Sequence, residues 1–290
     1  MVVVLVGGAP LAQTPEPAQD DNIEGVRTRA NAGDADAQFS LGVMYDVGRG
    51  VPEDDTEAVA WYRQAAEQGH VGAQHNLGVT YAFGQGVPQD DTEAVAWYRQ
   101  AAEQGHVGAQ FNLGVTYAFG RGVPEDDTEA VAWYCQAAKQ GHAAAQYNLA
   151  VMYANGRGVP EDDTEAVAWY FKAAEQGYAR AQFSLGVMYA FGQGVPEDDT
   201  EAVAWYLKAA EQGNAAAQFS LGFMYDVGRG VPQDAVEAYK WFNLATAYAD
   251  TSTRETSVKQ RDIVAESLTP EQLAEGQKLS REWFEAHPPE

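Results

Sequence analysis

The sequence predicts an all-α solenoid of helix-turn-helix repeats, and three observations carry that prediction. The string GVPEDDTEAVAWY at residues 50–62 returns almost letter for letter at 86–98, 122–134, 158–170 and 194–206, and as GVPQDAVEAYKWF at 230–242. The spacing is 36 residues throughout: Pro52, Pro88, Pro124, Pro160, Pro196 and Pro232 stand in step, as do Trp61, Trp97, Trp133, Trp169, Trp205 and Trp241. Within each copy the apolar residues recur at helical spacing, and no stretch alternates as a strand does. Self-similarity at such a period marks units that bury an apolar face only by stacking on their neighbours.

In chain order, residues 1–12 (MVVVLVGGAPLA) form a short apolar run ending in small residues. This is expected to be the back half of a secretory signal whose basic front is missing, with Pro10 a poor fit to the cleavage pattern. Residues 13–19, rich in Pro and Gln, are expected to be a disordered linker. Residues 20–33 align with the second helix of a repeat but carry Gly25 where Trp belongs, and read as an N-terminal capping helix.

Six repeats follow over 34–249. Helix A of the first runs through ADAQFSLGVMYDV, with Ala37, Leu41 and Tyr45 four residues apart and Gly42 permitting close helix contact. Gly48 supplies a left-handed C-cap and GRGVP makes the turn. Helix B runs from Asp55 to about Gln68, with Ala58, Trp61, Tyr62 and Ala65 expected to be buried and Gly69 ending it. Residues 250–290 read as C-terminal capping helices. There Thr269 and Gln272 around Pro270 form a capping box for a last helix from Pro270 to about Ala286.

The acidic string before helix B reads as a joint. Asp54 falls at the N-cap and Glu57 at the third helical position, an Asp version of the capping box. In it the Asp accepts from free first-turn amides, the Glu reaches back to the N-cap amide, and both carboxylates face the positive helix end. The sixth copy replaces the second acid by Ala235 yet keeps Asp234 and Glu237. A metal loop would guard its carboxylate count instead, and calcium-loop spacing is absent.

Composition narrows the partners. With 42 acidic and 18 basic residues the formal charge is −24, which repels phosphate backbones and anionic lipid. Neither nucleic acid nor membrane insertion is expected. Cys135 is the only cysteine, so no intrachain disulfide can form. It stands where other repeats carry Arg63, Arg99, Phe171 and Leu207, a tolerant position for a nucleophile to occupy. Pairs such as Gly84 and Gly86 lack the strand and third glycine of a dinucleotide loop. His70, His106 and His142 lie one repeat apart, ~8–10 Å in a helical stack, whereas zinc ligands converge within ~2 Å. They read as solvent-exposed links between repeats. No catalytic, cofactor or metal site is expected.

The motifs A-x-A-Q-x-x-L-G-x-x-Y, G-x-G-V-P-x-D, E-A-x-x-W and A-A-x-x-G resemble the Sel1-like repeat, a relative of the tetratricopeptide repeat. The resemblance implies a right-handed α-solenoid and a non-enzymatic adaptor, often exported in bacteria. It also implies a helix A register in which positions 39, 40, 43, 46 and 47 and their equivalents line a concave groove. That gives an aromatic-rich row of Phe39, His75, Phe111, Tyr147, Phe183 and Phe219, with Phe83, Phe119 and Phe191 from the later position. Beside the row lie Ser40, Asn76, Asn112, Asn148, Ser184 and Ser220. Rings and amides together suit an extended peptide; equally, the rings could serve only to pack helices A. The expected partner is another protein, neutral or basic given the charge. Alternatives are an exported hydrolase-like protein with an unrecognised site, or a purely structural or self-associating module. The expected location is periplasmic or secreted if residues 1–12 are a signal remnant, otherwise cytoplasmic.

Overall fold

The computed structural model describes residues 23–248 and 251–287; the expected leader and linker lie outside the described residues. Among the described residues there are fifteen α-helices and no strand. The chain divides into two compact units between His142 and Ala143, at the junction of the third and fourth repeats.

The first unit opens with α1 (Ile23–Asn31) and continues through α2 (Ala35–Asp46), α3 (Asp55–Glu67), α4 (Val71–Phe83), α5 (Asp91–Glu103), α6 (Val107–Phe119) and α7 (Asp127–Lys139). The second contains α8 (Ala143–Ala154), α9 (Asp163–Glu175), α10 (Ala179–Phe191), α11 (Asp199–Glu211), α12 (Ala215–Val227) and α13 (Ala235–Tyr248). It ends with α14 (Thr251–Ser267) and α15 (Pro270–Ala286). Even numbers from α2 to α12 are helices A, and odd numbers from α3 to α13 are helices B.

Each repeat is closed by an aromatic ring lying on a glycine. Tyr62 is fully buried, and a Cβ added to Gly42 of the partner helix would stand 2.6 Å from its ring. The same pairing joins Gly78 to Tyr98, Gly114 to Tyr134, Gly186 to Tyr206 and Gly222 to Phe242, at 2.4–2.7 Å for the hypothetical Cβ. No aromatic ring can share that space with a methyl group, so glycine sets how closely helices A and B approach. The fourth repeat has Ala150 instead, and its ring, Tyr170, is 6% exposed where Tyr62 is 0%. The C-terminal cap reuses the device, with Gly276 of α15 against Tyr239 of α13.

Tryptophan is less deeply buried than the sequence suggests. Trp61, Trp97, Trp133 and Trp169 are half-buried, and burial becomes complete only at Trp205 and Trp241. Trp97 packs on the core of the preceding repeat, against Ala58, Tyr62 and Leu77 among others. Trp133 and Trp241 likewise reach back to the repeat before their own. Tyrosine therefore closes each repeat, and tryptophan joins one to the next.

A buried amide ladder reinforces this seam. Gln74 Nε2 donates to the Ala66 carbonyl at 3.2 Å, and its Oε1 accepts from Gln104 Nε2 at 2.7 Å. Gln110 repeats the pattern with Ala102 and Gln140, and Gln182 with Ala174 and Gln212. In the last repeat Gln218 donates to Ala210, but its Oε1 has no partner among the described residues. Position 248, where earlier repeats carry the second glutamine, holds Tyr.

The acidic joint is a cap, although not a reciprocal one. Asp54 Oδ1 accepts from the Thr56 and Glu57 amides at 3.0 and 3.1 Å. Its own backbone N–H donates to the Tyr45 carbonyl at 2.9 Å, so the expected return bond from Glu57 is replaced by a tie to helix A. The equivalent tie recurs at Asp90, Asp126, Asp162, Asp198 and Asp234. Only Thr269 and Gln272 make a complete capping box, at 3.0 and 3.3 Å, and they start α15 at Pro270 as expected.

The second acid serves the following repeat. The second glycine of each G-x-G turn has positive φ, and at Gly86 a Cβ would fall 2.2 Å from the Asp55 carbonyl oxygen. Gly122 sits equally close to Asp91, and Gly230 to Asp199. Asp199 also holds Arg229 at 2.6 and 3.0 Å. The sixth repeat has no G-x-G turn after it, and Ala235 stands there in place of the second Asp.

Two stability predictions follow from these contacts. Gly114→Ala should lose about 1–2 kcal/mol in urea unfolding, because overpacking outweighs the better helix propensity of alanine. Ala150→Gly should also lose about 1 kcal/mol, since Tyr170 has already made room and only propensity changes. A stabilised Gly114→Ala would disprove the close-contact account. For the cap, Asp90→Ala should cost about 1 kcal/mol and Asp91→Ala a few tenths. Equal losses would contradict the N-cap assignment.

Candidate functional site

The sequence-derived row separates into two classes once the helices are placed. Phe39, His75, Phe111, Tyr147, Phe183 and Phe219 pack against rings of neighbouring elements. Phe39 stacks on His70 at 4.5 Å, His75 on His106 at 4.4 Å and Phe111 on His142 at 4.7 Å. In the second unit Tyr147 meets Tyr178 at 5.3 Å, Phe183 meets Tyr206 at 5.8 Å and Phe219 meets Phe242 at 5.4 Å. Five of these rings keep a partly open face; His75, at 6% exposure, does not.

The amides and hydroxyls beside the row turn inward. Asn76, 8% exposed, lies beside the Tyr62 hydroxyl, and Asn112 lies beside that of Tyr98 in the preceding repeat. Ser184 serves Tyr170, and Ser220 serves Tyr206. Each pairing sets a polar side chain beside a buried phenol. Burial raises all four phenols, Tyr206 to about 12, so none ionises near neutrality. Tyr62 also donates to Asp46 Oδ2 at 3.0 Å, and burial raises the Asp46 carboxyl above its ordinary range. Ser40 donates to the Asp36 carbonyl of its own helix at 2.8 Å. Asn148 is half-buried.

The second class is open to solvent. Phe83 is 55% exposed and Phe191 67%, each the last residue of its helix A, and Phe119 is the equivalent in the third repeat. Val47 and Val227 occupy the same place in the first and sixth repeats and are also exposed, as is Phe223 one turn earlier on α12. The Arg121 guanidinium lies 6.0 Å from the Phe119 ring. Each unit thus presents one exposed apolar side chain per repeat at this position, except in the fourth, which carries Asn155.

The histidines after helix B are not exposed links. His70 and His106 are half-buried N-caps, their Nδ1 atoms accepting from the Ala73 and Ala109 amides at 3.1 and 3.2 Å. Asp34 and Asn214 do this with carboxyl and amide oxygens, and Tyr178 makes no side-chain cap. A position that must end helix B, cap helix A and lie on a ring tolerates Asn, His or Tyr for different reasons. That variety is what reads as a loop in the sequence.

Among the described residues no group of three or more His, Cys, Asp or Glu could hold a metal ion, and no helix is long and apolar enough to cross a membrane. Cys135 is half-buried.

The repeats match the Sel1 repeat over residues 35–70, 71–106, 107–142, 143–178, 179–214 and 215–247. Among solved structures, the chain is similar to c5321, a protective antigen present in uropathogenic Escherichia coli strains displaying an SLR fold. The identity is 36% and the TM-score 0.83, over 91% of this chain and 56% of that one. The chain therefore corresponds to just over half of that antigen. It is also similar to a Sel1 repeat protein from Oxalobacter formigenes, at 35% identity and a TM-score of 0.69, over 77% of this chain and 89% of that one. No curated protein matches. Sel1 repeat proteins are generally protein–protein interaction scaffolds. With six consecutive matches covering most of its length, the chain belongs to the Sel1 repeat family.

Proposed function

We propose that the chain is a non-enzymatic scaffold whose helices A take an extended segment of another protein, neutral or basic in charge. The observation that supports this reading most is the exposed apolar side chain at the end of helix A in every repeat but the fourth, in a chain whose remaining surface is strongly acidic. Apolar side chains exposed in register, rimmed by polar residues, are characteristic of protein-binding surfaces. Neighbouring helices lie ~8–10 Å apart and an extended chain advances ~3.3 Å per residue. A bound segment would therefore meet one such side chain about every third residue. The open faces of Phe39 and Phe111 border the same helices in the first unit. Asn112 beside them is half-buried and bonds His75.

The double substitution Phe83→Ser and Phe191→Ser should leave urea stability within about 1 kcal/mol of wild type, because these rings are 55% and 67% exposed. Recovery of the native partner in a pull-down should fall at least about tenfold, as expected for loss of aromatic anchors. Equal recovery by a folded double mutant would move the binding surface away from these helix ends.

A further inference from the structure

We infer that His70, His75 and His106 make the first unit an acid-operated latch, closed while their rings are neutral and opened by protonation. The inference rests on which ring atom makes which bond. As N-caps of α4 and α6, His70 and His106 accept a backbone amide through Nδ1. An imidazolium carries N–H on both nitrogens and accepts nothing, so protonation removes the cap. It also sets a positive charge at the positive end of the helix dipole.

His75 is held neutral from two sides. Its Nε2 lies 3.3 Å from Asn112 Nδ2, which can only donate, so Nε2 must be the acceptor. Its Nδ1 lies 3.2 Å from Asn76 Oδ1 and carries the hydrogen. A proton on Nε2 would point at the Asn112 amide hydrogens. The ring also stacks on His106 at 4.4 Å, so charging both would stack two cations.

The groups facing these rings do not cancel the effect. Asp36 of α2 lies 3.3 Å from His70 Nε2 and favours its charged form, but burial outweighs it and lowers the pKa. His75 faces His106 and the Tyr98 ring of α5, neither of which is negative at neutral pH, and burial takes it down to about 4. Burial lowers His106 as well. A histidine lowered by folding leaves stability intact above its unfolded pKa, about 6.5. Stability is then lost as the pH falls through that value toward the folded one, because the unfolded state binds the extra proton. The second unit is a built-in control: Tyr178 and Asn214 stand at the cap position, and Tyr147, Phe183 and Phe219 in the seams. The latch does not depend on ligand binding. Where a segment is bound beside Asn112, opening would also release it.

Hydrogen exchange of the full chain at about pH 7 and pH 5, corrected for intrinsic rate, tests the latch without a ligand. His75 alone should raise the opening constant about twentyfold over that interval. Protection in α4 and α6 should therefore fall, while α10 and α12 hold. The combined variant His70→Asn, His75→Phe, His106→Asn and His142→Asn uses residues found at equivalent positions and should abolish the difference. His142 is included because it stacks on Phe111 of α6 and burial lowers its pKa as well. The latch is wrong if α4 and α6 of the wild type respond no more than α10 and α12. It is equally wrong if the variant responds as strongly as wild type. Should the variant not fold, the wild-type imidazole resonances decide: midpoints at or above about 6.5 for His75 and His106 overturn the latch, and midpoints below it support it.

Discussion

The contact on which everything else depends is an aromatic ring laid flat against a glycine. It draws helix B within reach of helix A at a separation that no methyl group would allow, and it repeats in five of the six units. The other seam contacts presuppose that approach. With the ring seated, the Tyr98 hydroxyl emerges where Asn112 of the next repeat can meet it, so one side chain both closes its own repeat and orients the following one. The Asp N–H that ties the joint to the Tyr45 carbonyl, and the G-x-G turn that touches Asp55 of the preceding repeat, need the same close geometry.

Much of this was legible in the sequence because period and punctuation are local signals. The 36-residue spacing, the Asp caps, the left-handed glycines and the Thr269–Gln272 box placed helix boundaries within about a residue. Side chains whose meaning is set by contacts between repeats were misread or passed over. The Trp of WY is the more conspicuous letter, but the Tyr takes the deepest place because it faces the glycine. Asn76 and Asn112 look like free amides until the phenols beneath them are located. Gln74 and its equivalents stood in the motif with no assigned role, since a buried amide ladder has no one-dimensional signature. His70 and His106 read as loop residues because capping by imidazole is uncommon beside Asp or Asn.

The same contacts reshape the candidate site. Ser40, Asn76 and Asn112, expected to meet a ligand, already have partners within the fold, so the proposed function rests on the exposed rings at the ends of helices A. A surface of that kind discriminates by spacing and apolar character more than by a polar code. The near-identity of the repeats is consistent with that, since it provides one recurring contact instead of six individual pockets.

Urea unfolding of Tyr98→Phe beside Tyr98→Leu tests the central contact most directly. Phenylalanine keeps the ring on Gly78 and removes only the hydroxyl, as Phe242 does naturally in the sixth repeat. Its cost should stay near 1 kcal/mol, the usual net worth of a hydrogen bond. Leucine leaves the flat space beside Gly78 unfilled and should cost about 2–4 kcal/mol. Equal losses from the two substitutions, or a greater loss from phenylalanine, would mean that the hydroxyl network and not the ring against glycine holds the repeat together.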